Sequence, residues 1–248
     1  MNEMSGTSTL VVGASRGLGR GIAIAFRAAG ADVVAVARRA APLAELAAAH
    51  RGIGIEVADA VEEDTASRLI DRYRPQVLVL VAGAAPVMGD LHHLTWETFS
   101  ANWHSDVRIA FAWLRAALAA PLAPGSRIVL FSSGAALNGS PLSGGYAGAK
   151  ATQWFIAQYS QQLSDTDGLK ISITTVMPRM TPHGEVGRAG IRAYAQAGGR
   201  SEDEFTRDLG PLITPQIAGA AMVDLVRSDP ATLEPAYLLT GSGCSPLR

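Results

Sequence analysis

The chain of 248 residues carries 21 basic and 22 acidic side chains, a net charge of −1, with 17% charged residues, 48% apolar ones and a single cysteine, Cys244. No strong field points to nucleic acid or an anionic membrane, and neither an internal disulfide framework nor a thiolate metal cage can be built. Length and apolar content fit one compact domain, and a charge content below the usual ~25% is consistent with self-association.

Met1 to Ser8 lacks a basic region followed by an apolar core, and no apolar run approaches the ~18 residues of a membrane span, so the expected address is cytoplasmic. Thr9 to Val12 reads as a strand buried on both faces. It runs into Gly13-Ala14-Ser15-Arg16-Gly17-Leu18-Gly19 and then into a helical pattern of Ile22, Ile24, Phe26 and Ala29. Strand, glycine turn and helix N-terminus together make an anion site suited to a diphosphate. Asp32 to Ala37 reads as the second strand. An NAD site would end it in a carboxylate for the ribose hydroxyls, but Ala37 stands there with Arg38-Arg39 just beyond and Arg16 able to converge. Guanidinium groups suit a 2′-phosphate, so NADP(H) is expected over NAD(H).

Pro42 to His50 predicts a helix, Gly54 to Ala58 a third strand ending at Asp59, Glu62 to Tyr73 a helix, and Val77 to Val81 a fourth strand before Ala82-Gly83-Ala84. This alternation implies a parallel sheet with helices on both faces. Thr95 to Ala120 predicts one long helix with Trp103, Val107, Phe111, Leu114 and Leu118 on a single stripe. The apolar run from Arg127 forms strand five and delivers Ser133 to the carboxyl edge of the sheet, where ligands bind in such folds. Tyr146 to Leu163 is the next helix, and Ile171 to Met177 is strand six, stopped by Pro178. The glycine-rich segment 182–210, with a short helical patch near Ile191–Tyr194, suits a substrate-covering lid. Thr214 to Arg227 is helical, and Tyr237-Leu238-Leu239 is a last strand before Gly241-Ser242-Gly243. The expected fold is an α/β, Rossmann-like doubly wound parallel sheet of about seven strands in a single domain.

Within that frame Tyr146 and Lys150 lie one helical turn apart on one face. An ammonium there stabilises a phenolate whose ordinary pKa is about 10, making tyrosine a usable proton donor or acceptor. The chain has two lysines, Lys150 and Lys170, against nineteen arginines. In that background a lysine at this spacing points to a need for a compact, tunable cation.

From about Leu10 to Gly243 these segments resemble the short-chain dehydrogenase/reductase family, in the family's order. Gly13, Gly17 and Gly19 match the cofactor-loop glycines, Asp59 the acid that bonds the adenine, and Pro178 the proline beside the nicotinamide. Ser133, Tyr146 and Lys150 match the catalytic serine and the Y-x-x-x-K pair. The resemblance implies a cofactor held by Gly13, Ser15, Arg16, Gly17, Leu18, Gly19, Arg38, Arg39, Asp59, Ala82, Gly83, Tyr146, Lys150 and Pro178. It implies hydride transfer to or from a small-molecule carbonyl or alcohol, with Tyr146 as acid/base, Ser133 orienting the oxygen and Lys150 lowering the tyrosine pKa. Homodimers or homotetramers are the family's usual assemblies, and no nucleic acid, membrane or metal is implied.

Several positions depart from the pattern. Val12 replaces the family's threonine, Leu80-Val81-Ala82-Gly83 its N-N-A-G, Arg179 the glycine after the proline, and His183 the expected threonine. Val12 and Leu80-Val81 remove both partners of a polar contact, a change that can be nearly neutral. Asp106 stands where the family's relay asparagine is expected, with Asn102 one turn earlier. An aspartate could hold the same water while favouring the lysine ammonium. Met88, Ala135, Leu137, Leu142 and Met180 are candidate lining for the substrate. The alternative reading is a non-catalytic NADP(H)-binding sensor or scaffold on this fold.

Overall fold

The computed structural model describes residues 4–247. The first half alternates β1 (Ser8–Val12), α1 (Gly17–Ala28), β2 (Asp32–Ala37), α2 (Ala40–Ala49), β3 (Ile53–Val57), α3 (Glu63–Tyr73) and β4 (Val77–Leu80). A helical run comes next: α4 (Trp96–Asn102), a π-helical turn over Trp103–Val107, and α5 (Arg108–Ala119), leading to β5 (Arg127–Phe131). The remainder holds the short α6 (Ala135–Asn138), α7 (Gly144–Thr166), β6 (Ser172–Pro178), α8 (Glu185–Ala197), α9 (Glu202–Asp208), α10 (Pro215–Arg227), β7 (Ala236–Thr240) and β8 (Gly243–Pro246).

The strands form one sheet in the order β3-β2-β1-β4-β5-β6-β7-β8, parallel except for β8 against β7. Because side chains alternate across a strand, each strand feeds two cores. Val11, Val33, Ala35, Val79, Val129 and Val176 pack with Ile22, Phe26, Leu43 and Met222 under α1, α2 and α10. Leu10, Val36, Leu78, Leu80, Ile128 and Ile173 pack with Leu69, Ile109, Trp113 and Leu114 on the opposite face. The result is the Rossmann-like α/β domain expected from the alternation of elements.

Four details differ from the sequence expectation. The sheet has eight strands rather than about seven, since Gly243, at φ 102°, turns the chain back into antiparallel β8. Pro178 does not stop β6 but is its last paired residue, opposite Leu239, where a missing N–H costs no ladder bond. The helix over 95–120 is not continuous. Its π turn adds a residue to one turn and rotates the downstream helix, so Trp103 and Phe111 are exposed while Ile109, Trp113 and Leu114 are buried. The segment 182–210 folds into α8 and α9 rather than one short patch. Gly187 and Gly190 let α8 lie against Thr181 and Met180, and a capping box of Ser201 and Glu204 starts α9.

Candidate active site

The carboxyl ends of β1 to β6 open on one cavity of about 1140 Å³, lined from the glycine loop through Arg38, Arg39, Asp59 and Ala82–Ala85 to Ser133, Tyr146, Lys150 and Pro178. It lies at the topological switch between β1 and β4, where open α/β sheets bind ligands. Gly13 sets its floor. Its φ is 96°, and a Cβ there would come within 2.5 Å of Ala82 N, so the loop can touch the segment after β4 only as glycine. Val12 meets the segment after β4 through backbone: Val81 N and Ala82 N both donate to Val12 O, at 2.8 and 2.9 Å.

At the inner end, Tyr146 and Lys150 are buried on α7, with Lys150 Nζ 5.6 Å from the centre of the tyrosine ring. Ser133 hydrogen-bonds the Tyr146 side chain and accepts from Ala135 N. Burial pushes the phenol up, Lys150 and the Ser133 hydrogen bond pull it down, and Asp106 pushes it up again; the net shift is upward. Lysine therefore opposes the burial penalty here without reversing it. Burial alone would lower the lysine's own pKa, but Asp106 and Tyr146 outweigh that and raise it.

Asp106 is fully buried in the π turn, and the surrounding donors explain how its charge is tolerated. Its Oδ2 accepts from Asn102 Nδ2 at 2.7 Å, Ser105 Oγ at 3.1 Å and Ala84 N at 3.4 Å. Its Oδ1 faces Lys150 Nζ at 3.2 Å, an ion pair outside good hydrogen-bond geometry. A Cβ on Gly83 would overlap that oxygen, so the bare glycine makes room for the carboxylate. Asn102 also donates to Ala84 O at 3.0 Å, tying α4 to the segment after β4. Gln153, which sequence reasoning passed over, is buried beside Lys150 on α7 and bonded to it. A polar residue one turn after the lysine, on the buried face that also carries Tyr146, Ala149 and Ala157, was the available signal.

The outer end is ringed by guanidinium groups. Arg16 pairs through both nitrogens with Glu185 of α8, and Arg38 Nη1 lies 3.8 Å from Asp59 Oδ2. Arg16's pKa is lowered by partial burial and then by the charges of Arg39, Arg188 and Arg38, so four arginines share this corner. Arg188 is the member that the sequence pattern did not single out. Asp59 also accepts from Val61 N at 3.1 Å. Of the predicted lining, Met88, Ala135, Leu137 and Met180 reach the cavity, while Leu142 does not; Ser140, Tyr194, Phe205 and Leu209 do. Thr181 lines it, whereas His183 does not.

A family model for short chain dehydrogenases matches residues 7–188. The chain belongs to the short-chain dehydrogenase family. It is 30% identical over 177 residues to a short chain dehydrogenase of Pseudocercospora fijiensis (strain CIRAD86), covering 65% of this chain and 55% of that protein. It is 29% identical over 105 residues to an L-xylulose reductase of Mesocricetus auratus, covering 42% and 43%. The chain thus spans about half the length of the curated relatives it matches. Among solved structures, a short chain dehydrogenase from Burkholderia cenocepacia J2315 in complex with NADP superimposes with a TM-score of 0.78 at 24% identity, covering 96% of this chain and 98% of that one. A short chain dehydrogenase from Mycobacterium avium gives 0.78 at 21% identity, covering 99% and 86%.

The short-chain dehydrogenase family binds nicotinamide cofactors. The residues present fit such a group. The side-chain-free floor at Gly13 leaves room for a diphosphate, and the N-terminus of α1, with no acidic residue in its first turn, would oppose it. Among the described residues, no helix is long and apolar enough to cross a membrane.

Proposed function

We propose that the protein is an NADP(H)-dependent oxidoreductase acting on a carbonyl or secondary-alcohol substrate, of the carbonyl reductase or alcohol dehydrogenase type. The observation that carries this reading is the Ser133–Tyr146–Lys150 group, with Tyr146 and Lys150 buried, at the inner end of a cavity whose mouth is ringed by arginines. A nicotinamide held there would supply or accept hydride. Tyr146 gives the oxygen-bound proton in reduction and takes it in oxidation, while Ser133 hydrogen-bonds the substrate oxygen and fixes its direction. Lys150 partly offsets the burial penalty on the phenolate, and Asp106 works against it. The phenol is then protonated at neutral pH, the form that reduction needs. Gly13, Ser15, Gly17, Leu18 and Gly19 would hold the diphosphate, Arg16, Arg38 and Arg39 the 2′-phosphate, Asp59 the adenine side, and Ala82, Gly83 and Pro178 the nicotinamide end.

Met88, Leu137, Met180, Phe205 and Leu209 make the substrate end apolar, which suits an uncharged ketone. The α8–α9 segment, within 182–210, would cover it. Phe155, Tyr159 and Leu163 form an exposed stripe along α7, with Phe111 exposed on the neighbouring α5, and support a homodimer or homotetramer.

The test is NADPH oxidation over a panel of neutral ketones, with Tyr146→Phe beside the wild type. The wild type is expected to turn over, and the variant to lose about 10²–10⁴-fold in kcat while still binding NADPH. Wild-type turnover should fall as pH rises through the elevated Tyr146 pKa, because reduction consumes the protonated phenol. A wild type that binds NADPH yet oxidises it with no ketone would instead favour a binding-only role.

A further inference from the structure

Lys150 offers three N–H donors: two reach protein acceptors, Gln153 Oε1 at 2.9 Å and Phe131 O at 3.4 Å, and Asp106 Oδ1 stands 3.2 Å from the ammonium as its ion-pair partner. The shortest contact is to a residue that belongs to neither the Y-x-x-x-K pair nor the glycine loop. Gln153 is 1% exposed, and both ends of its amide are used. While Oε1 accepts from the ammonium, Nε2 donates at 2.8 Å to the backbone carbonyl of Asp106 in the π turn. A closed ring results: ammonium to amide, amide to the Asp106 carbonyl, and the Asp106 carboxylate back to the ammonium.

Each link constrains the next. The Asp106 carboxylate is fixed by Asn102, Ser105 and Ala84, so one side of the ammonium is anchored. That contact alone would let the flexible lysine stem turn toward the anion and withdraw its charge from the phenol. The amide accepts from another direction and is itself held by the backbone of the distorted helix, where an inserted side chain is a recognised companion of helix distortion. A buried amide left half-paired is costly, so both bonds are set together.

We propose that Gln153 is a positioning residue for the proton-transfer centre: its amide holds the Lys150 ammonium beneath the Tyr146 ring, at a fixed distance from the neutralising Asp106 carboxylate. The proposal rests on the roles assigned to Tyr146 and Lys150 under the proposed function. In Gln153→Leu the ammonium collapses onto Asp106 and its charge is screened from the phenol. Alcohol oxidation, which needs the phenolate, then loses about tenfold in kcat, and its rise with pH moves up by about one unit, while KM stays within about threefold. A role limited to packing α7 against α4–α5 would lower stability and leave the pH profile in place.

The chain contains only two lysines, which permits a readout independent of turnover. With 15Nζ-labelled lysine, wild type should show one slowly exchanging ammonium signal from buried Lys150, and Gln153→Leu should lose it at the same pH. Should Gln153→Leu fail to fold, Gln153→Met, unbranched and of similar length, carries the same measurements. A folded variant with the wild-type ammonium signal and an unshifted pH profile overturns the proposal. The ammonium signal decides the positioning role even if no substrate is turned over, so failure of the oxidoreductase reading is told apart from failure of this one.

Discussion

Two groups of cations sit on the same sheet edge and are built on opposite principles. At the inner end a single lysine is sealed among Asp106, Gln153 and the Phe131 carbonyl. At the mouth, Arg16, Arg38, Arg39 and Arg188 stand in or near solvent, and two nearby carboxylates, Glu185 and Asp59, pair with Arg16 and Arg38. The inner charge is matched one for one and held from several directions. The outer charges exceed their partners and lie open to water. A centre that must present one charge to one phenol gains from the first design, whereas a site that must recruit a phosphate from water gains from the second.

The comparison is most sharply tested by neutralising the inner partner. Asp106→Asn leaves a buried ammonium without its anion, a change that costs about 3–5 kcal/mol and should lower Tm by roughly 10 °C. Lys150's folded pKa is raised, so its contribution to stability is present below the unfolded value of about 10.4 and fades as pH rises through the folded one. The gap between wild type and variant in thermal melts should therefore be widest near neutral pH and narrow in strong alkali. Since Asp106 also raises the phenol, the alkaline limb of ketone reduction should move to lower pH in Asp106→Asn; an unmoved limb would break the link between the two groups.

A smaller effect is expected at the mouth. Arg38→Ala with Arg39→Ala should weaken NADPH binding by about 10–100-fold, leave NADH nearly unchanged and leave Tm close to wild type, read by fluorescence titration at two salt concentrations. Equal losses for both cofactors would count against a 2′-phosphate site. Smallest of all, Glu185→Gln releases Arg16 from its ion pair with α8 and should tighten NADPH by a few-fold, since a competing anion is removed. Weaker binding would mean that Glu185 orients Arg16 rather than competing for it.

Legibility in the sequence divides along the same line. The alternation of strands and helices, the glycine loop and the Tyr146–Lys150 spacing were legible because each is a local pattern: apolar runs ended by glycine, or residues one turn apart. The inner network was less so. Asp106 could be placed by its offset from Val107 to Leu118, but its pairing with Lys150 depends on a π turn that a period of 3.6 does not encode. The same turn split the predicted stripe, exposing Phe111 and burying Trp113, whose Nε1 donates to Ala60 O at 3.1 Å. Gly187 and Gly190, which suggest a loose loop when read alone, are instead the close contacts of α8 with Thr181 and Met180. Arg188 joined the cation corner only once that helix was in place.

The π turn at Trp103–Val107 leaves this helical run one residue longer than a regular helix would need to span the same rise. Loss of one residue there would restore an uninterrupted α-helix and leave helical content almost unchanged. It would also swing the Asp106 side chain by about 100° away from its ammonium. The pairing of Asp106 with Lys150 is thus sensitive to chain length at a place where the backbone itself would register no damage.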